Sequence, residues 1–147
     1  MKIKNSQTKL TAAEIEQLES HTCISLPADY KAFLLEHNGG EPDPSDFVTR
    51  DGKVESFVSC FLPISNLVED NLLEEIEGIS QAGQIPSNLI PIAIAAPDNR
   101  IVIAFKGKER GKVYYWAWDE EDENHIASYK YIRLIADSFD DFIRLLH

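Results

Sequence analysis

The sequence predicts an α+β fold: a single domain over residues 1–147, with a mainly antiparallel, twisted sheet flanked by about four helices. Stretches with helical apolar spacing alternate with short apolar runs joined by turn residues. The 147 residues suit one domain and contain no internal repeat or linker. A chain of this length buries roughly 68–70% of its unfolded surface, so its core needs no cofactor or disulfide.

Residues 26–41 predict one helix whose two ends are both marked in the sequence. Leu26 is followed by Pro27, which suits the first helical position because the amide it lacks would have no partner there. An apolar stripe at i, i+3 and i+4 is expected to face the core and consists of Tyr30, Phe33 and Leu34. The helix is then stopped by residues that tolerate a left-handed backbone: Asn38, Gly39 and Gly40.

Three further helices are predicted from capping residues and apolar spacing. Thr11 and Glu14 have the spacing of a capping box before a helix of about ten residues. Ser65 is a candidate N-cap for a helix that reaches Ile76 and is terminated by Gly78. The last helix is capped by Ser138, and its buried face is predicted to comprise Phe139, Phe142, Ile143 and Leu146.

Apolar runs with turn residues between them predict the sheet. The first two strands, residues 47–50 and 54–61, are joined by Asp51-Gly52, a strong signal for a short hairpin. Residues 88–96 form the next run, in which Pro91 predicts that the strand begins after it or lies at an edge. The meander continues with residues 101–106 and 112–118, and residues 129–136 are either a last strand or the approach to the final helix.

Composition bears on partners and compartment. There are 25 acidic against 14 basic residues, a formal net charge of −11, which disfavours direct binding to nucleic acid or an anionic membrane. The N-terminus lacks the apolar run of a signal peptide, and two cysteines do not make a disulfide framework. We therefore expect a cytoplasmic protein in which Cys23 and Cys60 are buried free thiols.

No motif in the sequence predicts catalysis, a cofactor site or a metal site. His21 and Cys23 lack a second ligand pair at zinc spacing, and residues 107–111 lack the pattern of a phosphate-binding loop. Carboxylates could pair as general acid and base, but spacing along the chain does not test this. A platform for a sugar or base is one interpretation of four aromatic residues: Tyr114, Tyr115, Trp116 and Trp118. At strand spacing one face of this strand is expected to be core, and the role of the other face stays open.

Charge gives the one positive indication of a binding surface. A nuclease presents Lys and Arg to phosphates, so an acidic protein can block it by resembling its substrate. The run of acids at residues 119–123 is expected to be exposed because like charges repel. The candidate partner-binding residues are Asp43, Asp46, Trp118, Asp119, Glu120, Glu121, Asp122 and Glu123.

The predicted helix of residues 26–41, with its Leu26-Pro27 start and its Asn38-Gly39-Gly40 end, resembles the signature helix of the SUKH superfamily. That superfamily includes fungal regulators of cell-wall assembly and glucan synthesis, and bacterial immunity proteins against polymorphic toxins. Residues 88–93, Asn-Leu-Ile-Pro-Ile-Ala, are similar to the family's entry into its central strands. The closing segment around Ser138, Phe139 and Phe142 resembles the family's last helix. The turn at residues 97–100 lacks the glycine often found after the aspartate, and the acidic run is not a family feature.

This resemblance implies an α+β domain without known catalysis. For a short bacterial member, it implies a cytoplasmic immunity protein that binds and neutralises a cognate toxin, often a nuclease. The expected partner is therefore a cationic toxin domain. Two alternatives stay open: a regulatory or scaffold module that binds another cellular protein, and a domain that binds a small molecule such as a sugar or nucleotide.

Overall fold

A six-stranded antiparallel sheet forms the centre of the fold in the computed structural model, which describes residues 1–121 and 126–147. Within these residues its strands follow chain order: β3 (Asp46–Val48), β4 (Glu55–Phe61), β5 (Leu89–Ala95), β6 (Asn99–Ala104), β7 (Val113–Trp116) and β8 (Ile132–Ala136). A shorter sheet pairs β1 (Lys2–Lys4) with β2 (Glu41–Asp43). The predicted α+β class and mainly antiparallel sheet are confirmed, and residues 129–136 do contain a last strand.

The sheet curves until it nearly closes on itself. The amide of Arg50, in the loop after β3, donates to the carbonyl of Leu134 in β8 at 2.9 Å. Two ion pairs cross the same seam: Arg133 to Asp51 at 2.8 Å and Arg50 to Asp137 at 3.0 Å. The two outer strands of the sheet are therefore joined through this loop. The hairpin between β3 and β4 is confirmed, but its connection spans residues 49–54 and is longer than the predicted one at residues 51–53.

Three helices, α1 (Ala12–Thr22), α2 (Ala28–Glu36) and α4 (Phe139–Leu145), pack on one face of the sheet, which we call the inner face. Two of the three predicted caps are confirmed: Thr11 forms the capping box, and the Ser138 hydroxyl accepts the Asp141 amide at 3.0 Å. The helices contribute to the main core mostly predicted side chains, namely Ile15, Leu18, Leu26, Tyr30, Leu34, Phe139, Phe142 and Leu146. Phe33 and Ile143 are only partly buried.

The end of α2 is fixed by close backbone approaches. Gly39 has a φ of +74°, and a Cβ there would meet the Cβ of Pro63 at 2.7 Å. Gly40 has a φ of +115°, and a Cβ there would lie 2.6 Å from the Ile3 side chain. Both positions therefore require glycine. Pro27 proves to be the N-cap and not the first helical residue, a shift of one position.

Asn38 does more than end the helix. Its side chain is buried, and its amide nitrogen donates to the carbonyls of Thr8 at 2.9 Å and Ile64 at 3.0 Å. Its carbonyl oxygen accepts the Ile64 amide at 2.8 Å. Asn38 thus joins the N-terminal segment to the chain after β4, a role that the sequence did not reveal.

The third predicted helix is wrong in its bounds. Helix α3 covers only Leu72–Glu75 and is capped by Asn71, whose side chain accepts the Glu74 amide at 3.0 Å. It continues directly into a π turn, Ile76–Ser80, so Gly78 lies inside helical backbone and does not terminate it. The predicted cap Ser65 precedes a non-helical segment instead. Asn71 is the cap because its side chain accepts an amide three residues on, whereas the Ser65 hydroxyl accepts the Leu67 amide at 3.1 Å, only two residues on.

The prediction for Pro91 is also wrong. Pro91 lies within β5, between β4 and β6, and pairs with Val102. The strand tolerates it because the pairing with β4 covers only Ala93 to Ala95, and because the register with β6 shifts next to Pro91. A central strand can therefore hold a proline at a position that extends past the end of a neighbouring strand.

The other face of the sheet, the outer face, carries a second and smaller core. Its buried members are Ile85, Leu89, Val102, Ala104, Tyr114, Trp116 and Ile132. The predicted alternation along β7 is confirmed, since Val113, Tyr115 and Ala117 belong to the inner core. Leu72 and Ile76 reach the inner core, while Ile79 packs against the outer one. The segment from α3 to β5 therefore covers part of the outer face.

Candidate protein-binding surface

The strand register brings several candidate residues to one end of the sheet. Asp46 lies directly opposite Phe57, and the Phe57 carbonyl accepts the Ala96 amide at 3.1 Å. In β6, Arg100 lies opposite Trp116, so Asp98 and Trp118 occupy matching positions two residues beyond this pair. We call this region, comprising Asp46, Phe57, Asp98, Trp118 and Asp119, the acidic end of the sheet.

Two large aromatic side chains are exposed at the acidic end. Phe57 is 46% exposed and Trp118 is 44% exposed, although both rings belong to strands or turns of the central sheet. They alternate with buried inner-face residues, so both lie toward the outer face. Exposed aromatics among charged groups are the combination that protein interfaces use at their centres.

A buried asparagine fixes the turn that carries Trp118. After β7 the chain forms a 3-10 turn, Trp118–Glu120, and the Asp119 amide donates to the Asn99 side chain at 3.0 Å. The Asn99 amide group donates in turn to the Tyr115 hydroxyl at 2.6 Å. Because Asn99 is buried, the position of Trp118 and Asp119 is tied to strands β6 and β7.

Arg100 forms the floor beside Trp118. Its guanidinium bonds both carboxylate oxygens of Glu75, at 3.1 and 3.3 Å, and pairs with Asp98 at 3.2 Å. Its Cζ atom lies 5.9 Å from the centre of the Trp118 ring. Burial alone would lower the pKa of Arg100, but the hydrogen bonds and charges of Glu75 and Asp98 outweigh it and raise the pKa. Arg100 is therefore a permanent, internally paired cation.

A cavity of about 270 Å³ opens between the π turn and Trp118. The residues that define this Trp118 cavity are Glu69, Glu74, Glu75, Ile79, Arg100 and Trp118. Its walls combine an indole, an aliphatic side chain and three carboxylates with one guanidinium. Such a lining suits a positively charged ligand whose shape is flat or elongated.

The structure confirms some expected positions and changes others. Asp43, Asp46, Asp119 and Glu120 are exposed. Glu121, which was expected to be exposed, is partly buried because its carboxylate accepts the Trp116 indole N–H at 2.7 Å. Asp122 and Glu123 lie outside the described residues. The expected acidic surface is thus represented by residues from the start of β3 and from the turn after β7.

Sequence reasoning missed Phe57, Glu69, Glu74, Glu75 and Arg100. Phe57 alternates with Val58 along β4, so the period of the strand could have placed its ring on the opposite face from the core. The carboxylates of residues 69–75 were hidden by treating that segment as an ordinary amphipathic helix. Nothing in the sequence pairs Glu75 with Arg100, because 25 residues separate them.

The aromatic platform considered for sugars or bases is not available on β7. Trp116 is fully buried, and Tyr114 is buried in the outer core, where burial raises the pKa of its hydroxyl. Of the three side chains on that face, Trp118 is the exposed one. A small molecule would therefore meet one indole ring and not a continuous row of rings.

The two cysteines are less buried than predicted. Cys23 is exposed at the C-cap of α1, where its backbone is left-handed with a φ of 58°. Cys60 is partly buried. Burial, with the nearby charges of Asp70 and Glu41, raises the pKa of the Cys60 thiol. A protonated thiol is a poor nucleophile, so the setting of Cys60 does not favour covalent chemistry.

Two further structural properties bear on function. Among residues 1–121 and 126–147, no group of three His, Cys, Asp or Glu side chains converges as a metal site would require. The helices found in this part of the chain are all too short or too polar to cross a membrane.

Comparison with known proteins places the chain in a family. Its sequence matches the SMI1 / KNR4 family (SUKH-1) over residues 9–145, which include the signature helix, the whole central sheet and the last helix. No curated protein matches the chain. Because the family match covers almost its full length and agrees with the observed α+β fold, the chain belongs to the SMI1 / KNR4 family (SUKH-1).

Proposed function

We propose that this protein is a non-catalytic, cytoplasmic immunity protein that binds and neutralises a cognate polymorphic toxin with a basic active surface, a nuclease being the expected class. The observation that supports this most is the acidic end of the sheet. At this end, Trp118 and Phe57 are exposed, and so are the carboxylates of Asp46, Asp98 and Asp119.

Charge complementarity favours a cationic partner. The net charge of −11 attracts a basic domain over long range, and steering of this kind raises association rates from about 10⁵–10⁶ to about 10⁸–10⁹ M⁻¹s⁻¹ at low salt. The same charge repels the phosphates of nucleic acid and of anionic membranes. The proposed partner is therefore a protein and not a polyanion.

The aromatic side chains supply what charge alone does not. Exposed surface charges pair weakly in water. Acidic residues at the edge of an interface therefore raise the association rate more than they raise the affinity of the complex. Burying Trp118 and Phe57 against a partner would add apolar contact at the centre of the interface. A complex that blocks a toxin would bury roughly 1,200–2,000 Å² in total, so the interface would extend beyond these two rings.

The test is binding to the toxin domain encoded next to this chain. Purified protein should form a tight complex with it, abolish its toxic activity and lose association rate as salt rises. Absence of a complex at low salt would exclude that toxin as partner. If the chain instead captured a resident cellular complex and had no toxin neighbour, the regulatory alternative would replace the immunity function.

A charge-reversed variant locates the interface. Asp119→Lys combined with Glu120→Lys is expected to slow association at least tenfold, because it replaces two attractive charges with repulsive ones. The matched control is Glu16→Lys with Glu36→Lys, which makes the same net change on exposed positions of α1 and α2. Equal slowing by both variants would show that net charge, and not the acidic end, guides the partner.

A further inference from the structure

The Trp118 cavity has a lining that identifies a chemical group more closely than net charge does. Trp118, a residue that is 44% exposed, forms one wall, and Ile79 adds an aliphatic surface. Its volume of about 270 Å³ lies below the roughly 300–1,000 Å³ of pockets for drug-sized ligands. The cavity therefore suits one long side chain better than a nucleotide or an oligosaccharide.

The molecule already shows which group the indole accepts. The Arg100 guanidinium lies 5.9 Å from the ring centre, a geometry typical of a cation–π contact. Arg100 itself is occupied by Glu75 and Asp98, and only 12% of its side chain is exposed. It can therefore hold its own carboxylates in place without neutralising the others in the wall.

Two carboxylates of the wall, Glu69 and Glu74, face solvent at the cavity mouth. Glu74 lies in the first turn of α3, where its backbone amide donates a hydrogen bond to the Asn71 side chain. This hydrogen bond fixes the backbone position of Glu74. Glu69 lies in the segment that leads into that cap. A cation that entered along the Trp118 ring would thus meet two carboxylates that Arg100 does not bond in this structure.

We infer that the Trp118 cavity receives an arginine side chain of the partner, which stacks on Trp118 and pairs with Glu69 and Glu74. This inference rests on the proposed function, since it names the anchor of the same protein partner. Arginine is the better occupant because its guanidinium is planar, stacks on aromatic rings and binds carboxylates through two parallel hydrogen bonds. A lysine ammonium would pair with the carboxylates of the cavity but would not stack on the Trp118 ring.

A peptide titration followed by NMR tests the cavity without the toxin. The probe is acetyl-Gly-Arg-Gly-amide, and its uncharged counterpart carries citrulline in place of arginine. The indole N–H signal of Trp118 should move with the arginine peptide, while that of Trp116, buried and bonded to Glu121, serves as an internal reference. No movement of the Trp118 signal up to about 10 mM peptide would overturn the inference.

Variants separate the cavity from general charge attraction. Trp118→Ala lacks the indole signal, so its titration is followed by the backbone amide of Ile79, which also lines the cavity. The substitution is expected to weaken arginine-peptide binding by roughly threefold to thirtyfold, the range of a cation–π contact. Glu74→Gln should weaken it as well, whereas Glu16→Gln, which removes the same charge from α1, should not. Equal effects of both glutamine variants, or equal binding of a lysine peptide, would overturn the assignment to an arginine.

The toxin complex gives the second arm. If the toxin binds the wild-type chain and the Trp118→Ala and Glu74→Gln variants equally well, the cavity assignment is wrong while the immunity function stands. If no cationic toxin binds but the peptide shifts the Trp118 signal, the proposed function fails and the cavity remains a guanidinium site.

Discussion

The two faces of the central sheet differ in how much of each is covered by other parts of the chain. The inner face is covered along its length by α1, α2 and α4, and its core contains closely packed aromatic rings such as Phe47, Phe139 and Phe142. The outer face is covered only in part, by the segment from the π turn to β5, and its core is smaller. Where that cover stops, Trp118 and Phe57 remain exposed.

This difference separates stability from recognition. On a face that is fully covered by helices, few substitutions are tolerated, because each side chain fills space among its neighbours. A face that is covered at one end leaves rigid strands to present exposed rings and acids at the other. We expect substitutions on the inner face to cost mainly folding free energy and those at the acidic end to cost mainly binding.

The largest effect is expected for Phe142→Ala on the inner face. Phe142 is fully buried. The centre of its ring lies 6.1 Å from the ring centre of Phe47, 6.5 Å from that of Phe61 and 6.2 Å from that of Phe139. Loss of the ring should lower the free energy of unfolding by about 3–5 kcal/mol. Urea unfolding followed by circular dichroism measures it, and a loss below about 1 kcal/mol would contradict the packing described for this face.

A smaller loss is expected for Ile85→Ala in the outer core. Ile85 is buried, but it lies in the connection between the π turn and β5, where the chain can settle into the space left behind. We expect about 2–3 kcal/mol, toward the lower end for such substitutions. If Ile85→Ala cost more than Phe142→Ala in the same urea assay, the proposed ranking of the two faces would be reversed.

Asn99→Ala tests the link between the sheet and the acidic end. It leaves the Tyr115 hydroxyl and the Asp119 amide without the partner seen here, at a cost of about 1–3 kcal/mol. Because Asn99 positions the turn that carries Trp118, toxin binding should weaken as well. Thr22→Ala, which removes another buried hydrogen-bonding side chain, is the control: it should lower stability without changing binding.

The smallest effect is a pH dependence at the seam between the β3–β4 loop and β8. Hydrogen bonds from Thr49 and the Lys53 amide, with Arg133, lower the pKa of Asp51 from 3.8 to about 2. A lowered pKa in the folded state stabilises the protein above pH 3.8, and this contribution is lost as the pH falls toward 2.

The measurement is urea stability between pH 5 and pH 2, read as a slope. Asp51→Asn should flatten the decline in this window, while Glu16→Gln, an exposed acid on α1, should change it less. Identical slopes for the wild type and Asp51→Asn would show that the seam does not hold Asp51 in its ionised form.

Local signals in the sequence were sufficient for most elements. The Thr11 and Ser138 caps and the alternation along β7 depend on neighbours within a few residues. Such patterns can be read directly because the chemistry that creates them is local. Gly39 and Gly40 could be predicted to end α2 because glycine favours their left-handed backbone, although Pro63 and Ile3, which exclude any side chain there, are distant in the chain. The errors arose where a contact beyond the local pattern decides. The Leu72 amide at the start of α3 donates to the Pro63 carbonyl at 2.8 Å, and Pro91 is accepted in a central strand beyond the end of β4.

By itself, the sequence determined the α+β class, the apolar stripes of the helices and the acidic character of the surface, since spacing and composition fix these. Only the tertiary structure decided which acids meet which aromatic rings. Asp46 and Trp118 are distant in the chain but share one end of the sheet through strand register, and Glu75 reaches Arg100 across 25 residues. Contacts between distant residues follow from how strands pair and curve, and no local pattern of residues encodes that arrangement.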